Sequence, residues 1–186
     1  MGLPPGTLAW TGPFDPESDE DWLTFQAGGM KETEYWSRRC EEFSELTGEP
    51  ASMPNFMAHL YAGTVDELTR PEARQLIADA KAAGVPIGLL TNDLRSFHDQ
   101  DWVDNMTILG EFDYMVEGRT DGVMKPDPRA YELIIERMGV TAEECVFIDD
   151  QPINLEGARS VGMHAVYLDP VDPESGFAQA RALLGV

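Results

Sequence analysis

Cysteine is scarce. With only Cys40 and Cys145, a disulfide framework has no basis, and a reducing compartment, the cytoplasm, is the expectation. Basic residues are scarce as well: 13 Lys and Arg stand against 34 Asp and Glu, a net charge of −21. Such a surface repels both a nucleic-acid backbone and an anionic membrane, so neither is an expected partner. No apolar run approaches the roughly 18 residues needed to span a bilayer. The first residues show no basic stretch followed by an apolar one, so no secretory signal is read. The three histidines, His59, His98 and His164, lack the spacing to each other or to cysteine that a zinc site requires. What remains is an ordinary globular composition, 42% hydrophobic and 25% charged over 186 residues, enough for one core with a modest insertion.

Two textures divide the chain. Up to about Arg70 the pattern is helical with loops and no convincing strand; from Pro71 helices alternate with short apolar runs, which predicts a parallel sheet flanked by helices. In the first part Asp15 and Pro16 read as an N-cap and first helical position, leading a helix through Trp22 and Phe25 to Gly28. A second helix, about Lys31 to Leu46, puts Tyr35, Trp36, Cys40, Phe43 and Leu46 on one face and stops at Gly48. A shorter one covers Asn55 to Tyr61. Residues 1–70 are thus expected to form a small helical subdomain, and 71–186 an α/β core.

Within the core, Pro71 opens a helix that Gly84 closes, and Val85 to Leu90 reads as a buried strand ending at Thr91 and Asn92. Tyr114 to Val116 is a weaker strand, followed by a loop over residues 117–124. Asp127 is placed to cap a helix with Pro128 in its first turn and Gly139 as its stop. Thr141 and Glu144 fit a capping box. Strands follow at Cys145 to Ile148, running into Asp149 and Asp150, and at His164 to Leu168, with helices at Ile153 to Val161 and Phe177 to Leu184.

Three polar groups therefore fall in equivalent places. Thr91 with Asn92, and Asp149 with Asp150, lie just past strands, and Lys125 stands at a helix entrance. Open parallel sheets bind ligands at the carboxyl ends of their strands. A hydroxyl, an amide and an ammonium suit a phosphoryl group. Two adjacent carboxylates suit a hard cation such as Mg²⁺. Arg95, His98 and Asp99 follow closely enough to line a cleft beside these groups.

These stretches carry a resemblance. Leu89-Leu90-Thr91-Asn92, Val123-Met124-Lys125-Pro126-Asp127-Pro128 and Val146-Phe147-Ile148-Asp149-Asp150-Gln151-Pro152-Ile153-Asn154 are similar, in this order, to the second, third and fourth motifs of the haloacid dehalogenase superfamily. The resemblance implies a Rossmann-like parallel sheet and a Mg²⁺-dependent phosphatase acting on a small phosphorylated metabolite. It assigns phosphate binding to Thr91, Asn92 and Lys125, with Lys125 also steadying the nucleophile. Mg²⁺ goes to Asp150, helped by Asp149 or Asn154. The helical first part, led by Gly2-Leu3-Pro4-Pro5-Gly6, is similar to the cap in the branch that includes the phosphatase domain of soluble epoxide hydrolases.

The family's first motif, an apolar strand ending in Asp-x-Asp, has no counterpart in this sequence. In the family its first Asp attacks phosphorus and its second serves as acid and base. A local imitation, Phe14-Asp15-Pro16-Glu17, is set among Gly12, Pro13 and Pro16, which argue against a buried strand, so Asp15 is only a substitute nucleophile. In the family that first strand lies centrally, between Val85–Leu90 and Cys145–Ile148, and its lack predicts a hole in the sheet. Four resolutions follow: the two strands pair directly, a stretch such as Thr7 to Trp10 fills the gap, another chain donates a strand, or the gene product begins upstream. The third makes the protein a homo-oligomer or the acceptor of a partner's strand. Besides a phosphatase, the sequence admits a nucleophile-less phosphate- and metal-binding relative, and an interaction protein whose strand gap docks a partner or a second copy.

Overall fold

The computed structural model describes Thr7, residues 10–12 and residues 15–186. The leader at residues 2–6, Leu8 and Ala9 of the gap-filling stretch, and Pro13 and Phe14 lie outside the described residues. In chain order the helices are α1 Glu20–Gln26, α2 Glu32–Thr47, α3 Met53–Leu60, α4 Val65–Leu68, α5 Pro71–Ala82, α6 Leu94–Phe97, α7 Gln100–Asn105, α8 Gly118–Asp121, α9 Pro128–Met138, α10 Pro152–Ser160 and α11 Pro173–Leu184. The strands are β1 Gly88–Thr91, β2 Tyr114–Glu117, β3 Val146–Asp149 and β4 His164–Tyr167. No helix among the described residues is long and apolar enough to cross a membrane.

The chain forms two compact units. The first runs to Gly63 and takes in Arg95–Val103; the second holds Thr64–Leu94 and Asp104–Val186. The sequence reading put one boundary near Arg70. The structure instead groups the segment after Gly63 with the α/β unit, where Arg74 ties α5 to Asp66 and to the Val65 carbonyl.

The first unit is built on aromatic packing. Trp22, Phe25, Met30 and Tyr35 form one buried cluster, and Cys40, Phe43, Phe56 and Met57 another, with Trp36 packed against both. Along α2 the buried residues are Tyr35, Arg39, Cys40 and Phe43, the i, i+4, i+5, i+8 stripe of an amphipathic helix. Leu46, expected on that face, is 52% exposed, because Gly48 turns the chain into the left-handed region (φ 76°) and ends the helix there.

The N-cap of α1 also differs from expectation. Asp15 heads only a short 3-10 turn, Pro16–Ser18, and makes no side-chain cap. Asp19 caps α1, accepting from Trp22 N at 2.9 Å, Gly12 N at 3.0 Å and the Tyr35 hydroxyl at 2.8 Å. Burial pushes the Asp19 carboxyl up, but these three hydrogen bonds together outweigh it and hold its pKa below the usual 3.8. A depressed folded-state pKa contributes stability above the unfolded value that is lost as pH falls through the folded one. Asp19→Asn is therefore expected to flatten the loss of stability below about pH 4, read as urea midpoints by tryptophan fluorescence at pH 5 and pH 3. An equally steep acid limb in the variant would assign that limb to other carboxylates.

In the second unit β1 and β2 pair in parallel, with Gly88 opposite Tyr114 and Thr91 opposite Glu117. β3 and β4 do likewise, with Val146 opposite His164 and Asp149 opposite Tyr167. Two faces are covered. Leu90, Val116, Ala130, Tyr131, Ile134, Cys145 and Ala158 form one cluster with α9 and α10, while Leu76, Val166, Phe177 and Ala180 form the other with α5 and α11. Alternate residues of β3 serve each: Phe147 packs on the first, Val146 and Ile148 on the second, as the period of two requires.

The α/β class with short parallel strands is as expected. Among the described residues no ladder joins β1 to β3, and the sheet is two separate pairs. The strands that parallel packing should bury most deeply keep Leu89, Val146, Phe147 and Ile148 only half-buried. Direct pairing of β1 with β3 is thus overturned. Of the stretch Thr7 to Trp10, the Trp10 ring packs against Trp36 and Phe56 in the first unit.

Candidate functional site

The residues expected to bind phosphate and metal lie in the second unit, at the carboxyl ends of its strands, whereas Asp15 does not. Thr91 is the last residue of β1 and Asp149 the last of β3. Asp150 follows, Asn154 sits in the first turn of α10, and Lys125 precedes α9 by way of a cis bond to Pro126. Asp15 is an exposed turn residue of the first unit.

Lys125 is the hub. Its Nζ meets Asp149 Oδ2 at 2.7 Å, with the two side chains 13% and 7% exposed, and lies 5.6 Å from the Phe147 ring centroid. Its main chain is gripped by Asn92, whose Oδ1 accepts from Lys125 N at 2.8 Å and whose Nδ2 donates to Lys125 O at 3.1 Å. Sequence reasoning aimed the Asn92 amide at a phosphate; in the structure that amide positions the lysine. Gly118 allows this closeness, since a Cβ there would stand 3.1 Å from Asn92 Cα and O.

The paired carboxylates are unlike each other. Asp149 is buried, and both its oxygens are occupied: Oδ2 by Lys125, Oδ1 by Gln151 N at 2.9 Å and Asn154 Nδ2 at 3.0 Å. Asp150 reaches solvent, yet the protein around it is dense enough that desolvation, and next the charge of Asp149, raise its pKa above 3.8. A carboxylate so disfavoured in its charged form gains from a nearby cation. Mg²⁺ commonly uses one or two carboxylates and completes its shell with water and substrate oxygens, so Asp150, backed by Asp149, fits that ion.

Supporting residues went unread in the sequence. Tyr131, fully buried on α9, donates to the Asn154 carbonyl at 2.7 Å and faces Phe147 edge-on at 5.3 Å. Its place on the apolar stripe of α9 was a visible signal; its hydroxyl contact was not. Glu117 ends β2 opposite Thr91 and is 3% exposed; it caps α8 through Thr120 N at 2.9 Å. Arg95, His98 and Asp99 belong to the first unit, where His98 stacks on Trp102 at 3.6 Å and is shifted toward its neutral form by burial. An open cleft of about 690 Å³ in the same unit is lined by Asp21, Arg39 and Glu42, but Arg39 already pairs with both acids, at 2.6 and 3.0 Å.

Comparison with known proteins shows the family. Residues 25–162 match the haloacid dehalogenase-like hydrolase family. The chain is 32% identical over 169 residues to acyl-CoA dehydrogenase family member 10 of Mus musculus, covering 88% of this chain and 15% of that protein. It is 34% identical over 99 residues to phosphatase MT3486 of Mycobacterium tuberculosis (strain CDC 1551 / Oshkosh), covering 53% of this chain and 46% of that one. It thus spans less than half the length of either relative. A crystal structure of a HAD phosphatase from Thermococcus onnurineus shares the fold, with a TM-score of 0.54 at 22% identity, covering 88% of this chain and 85% of that one. The chain belongs to the haloacid dehalogenase-like hydrolase family and is related to its phosphatases.

Proposed function

We propose that the strand-end site binds the phosphoryl group of a small phosphorylated metabolite together with Mg²⁺. The observation that supports this most is the convergence on the carboxyl ends of β1 and β3 of a hydroxyl (Thr91), an ammonium (Lys125) and an accessible carboxylate (Asp150), with the ammonium fixed by Asp149 and Asn92. Thr91 donates to a phosphoryl oxygen and Lys125 neutralises its charge. Asp150 holds the ion, with Asp149 and Asn154 as its support. Bound there, Mg²⁺ supplies electrostatic stabilisation to the phosphoryl group. The helical first unit is read as the cap that selects the substrate, and the two buried free thiols, Cys40 and Cys145, suit a reducing cytoplasm.

No described strand of this chain ends in Asp-x-Asp, so the reading covers binding, and hydrolysis requires a carboxylate nucleophile from outside these strands. The separate sheets favour a second reading: a strand from another copy or a partner enters between β1 and β3 and completes the fold.

Thermal unfolding with Mg²⁺ and inorganic phosphate tests the first. At a hundredfold excess over Kd the wild type is expected to gain about 2.7 kcal/mol, and Asp150→Asn to lose the Mg²⁺ response. An unchanged response would remove Asp150 from the metal site. Phosphate release from a panel of phosphomonoesters, run on both proteins, separates binder from enzyme; turnover lost in the variant would make Asp15 the next target.

A further inference from the structure

Most cations of this acidic chain are paired with carboxylates, Lys125 included. Arg70, the residue before α5, makes no ion pair among the described residues, although acidic side chains outnumber basic ones 34 to 13. Its side chain donates from Nη2 to the Pro170 carbonyl, at 3.0 Å. That contact fixes where it stands. Pro170 lies three residues past Tyr167, the last residue of β4 and the register partner of Asp149, and Leu168 N donates to the Asp149 carbonyl at 3.0 Å. Arg70 is therefore held at the carboxyl end of the β3–β4 pair. It is exposed.

A guanidinium offers five donors in a planar fork that matches an oxyanion bidentately. With one donor anchored on a carbonyl, the rest of the Arg70 fork and its whole charge remain available at the rim of the phosphoryl site. Lys125, buried and paired, cannot serve a second anionic group there. We infer that Arg70 makes the site selective for phosphorylated ligands that carry a second oxyanion, of carboxylate type, a short reach from the phosphoryl group. The inference rests on the phosphoryl reading of the site given above.

Calorimetric titration of the full chain in excess Mg²⁺ tests it with methylphosphonate and phosphonoacetate, which share a phosphonate and differ by one carboxylate. The wild type is expected to bind phosphonoacetate about tenfold more tightly, the scale of one charge-assisted hydrogen bond. Arg70→Gln should remove that preference, and Arg70→Lys, a point charge without the fork, should keep part of it. A preference that survives Arg70→Gln overturns the inference and leaves the phosphoryl site standing. An equal loss for both probes also overturns it, by reducing Arg70 to a support for the segment at Pro170. Failure of the wild type to bind methylphosphonate at all overturns both the inference and the reading beneath it.

Discussion

Lys125→Ala is expected to lower the unfolding free energy by about 3–5 kcal/mol, the cost of breaking a buried ion pair from one side. Both side chains of the Lys125–Asp149 pair are nearly enclosed, so removing the ammonium strands a charge that solvent cannot reach. Gln151 N and Asn154 Nδ2 still donate to Asp149 Oδ1, but nothing replaces the donor at Oδ2. Adding Asp149→Asn should recover most of the loss, because the charge left behind is then gone. Urea denaturation of the wild type, both single variants and the double variant reads this coupling directly. A cost below about 1 kcal/mol for Lys125→Ala would mean the pair behaves as a solvated surface bridge. The same variant should lose the stabilisation by inorganic phosphate, since the ammonium proposed to neutralise the ligand is the one that holds Asp149.

The positions of the candidate site residues along the chain were legible from sequence, while the geometry among them was not. Thr91, Lys125 and Asp149 sit where strand ends and helix starts put them, and those boundaries are punctuated: Pro71 and Pro128 open α5 and α9, Asp127 caps α9 through Arg129 N at 3.0 Å, and Gly139 stops it. Side-chain direction is a tertiary outcome. Asn92 turns to the Lys125 main chain because that peptide is brought beside it by residues far along the sequence. Asp19 outcompetes Asp15 as the α1 cap because Tyr35, 16 residues away, completes its shell. Boundaries shifted for local reasons too. β1 begins at Gly88 rather than Val85, since Pro86 lacks the N–H that a ladder needs and the Ile87 N–H is taken by the Asp113 side chain at 2.9 Å. Helices of four to six residues, α4, α6, α7 and α8, are too short for apolar periodicity to register. The expectation that β1 and β3 would lack a common neighbour came from topology, and among the described residues no ladder joins them.

Tyr131→Ala is expected to cost about 3–5 kcal/mol, as for other fully buried aromatics, and to abolish the response to Mg²⁺ as well. Three contacts meet at this ring. It packs edge-on to Phe147 of β3, its hydroxyl donates to the Asn154 carbonyl, and α10 approaches it so closely at Gly157 that a Cβ there would stand 2.7 Å from both the Tyr131 hydroxyl and the Pro126 carbonyl. Glycine inside a helix costs roughly 1 kcal/mol against alanine, which its neighbours offset by packing against the bare backbone. Tyr131 thus joins α9, β3 and α10, the elements that carry or adjoin Lys125, Asp149 and Asn154. Tyr131→Phe keeps the ring and loses only the hydrogen bond, so about 1 kcal/mol is expected, with the Mg²⁺ response retained. Denaturation midpoints and Mg²⁺-induced shifts on the two variants separate packing from hydrogen bonding. If Tyr131→Ala lost stability yet kept the full Mg²⁺ shift, Asp150 would hold its ion without the α9–α10 contact, and the support assigned to Asn154 would fall.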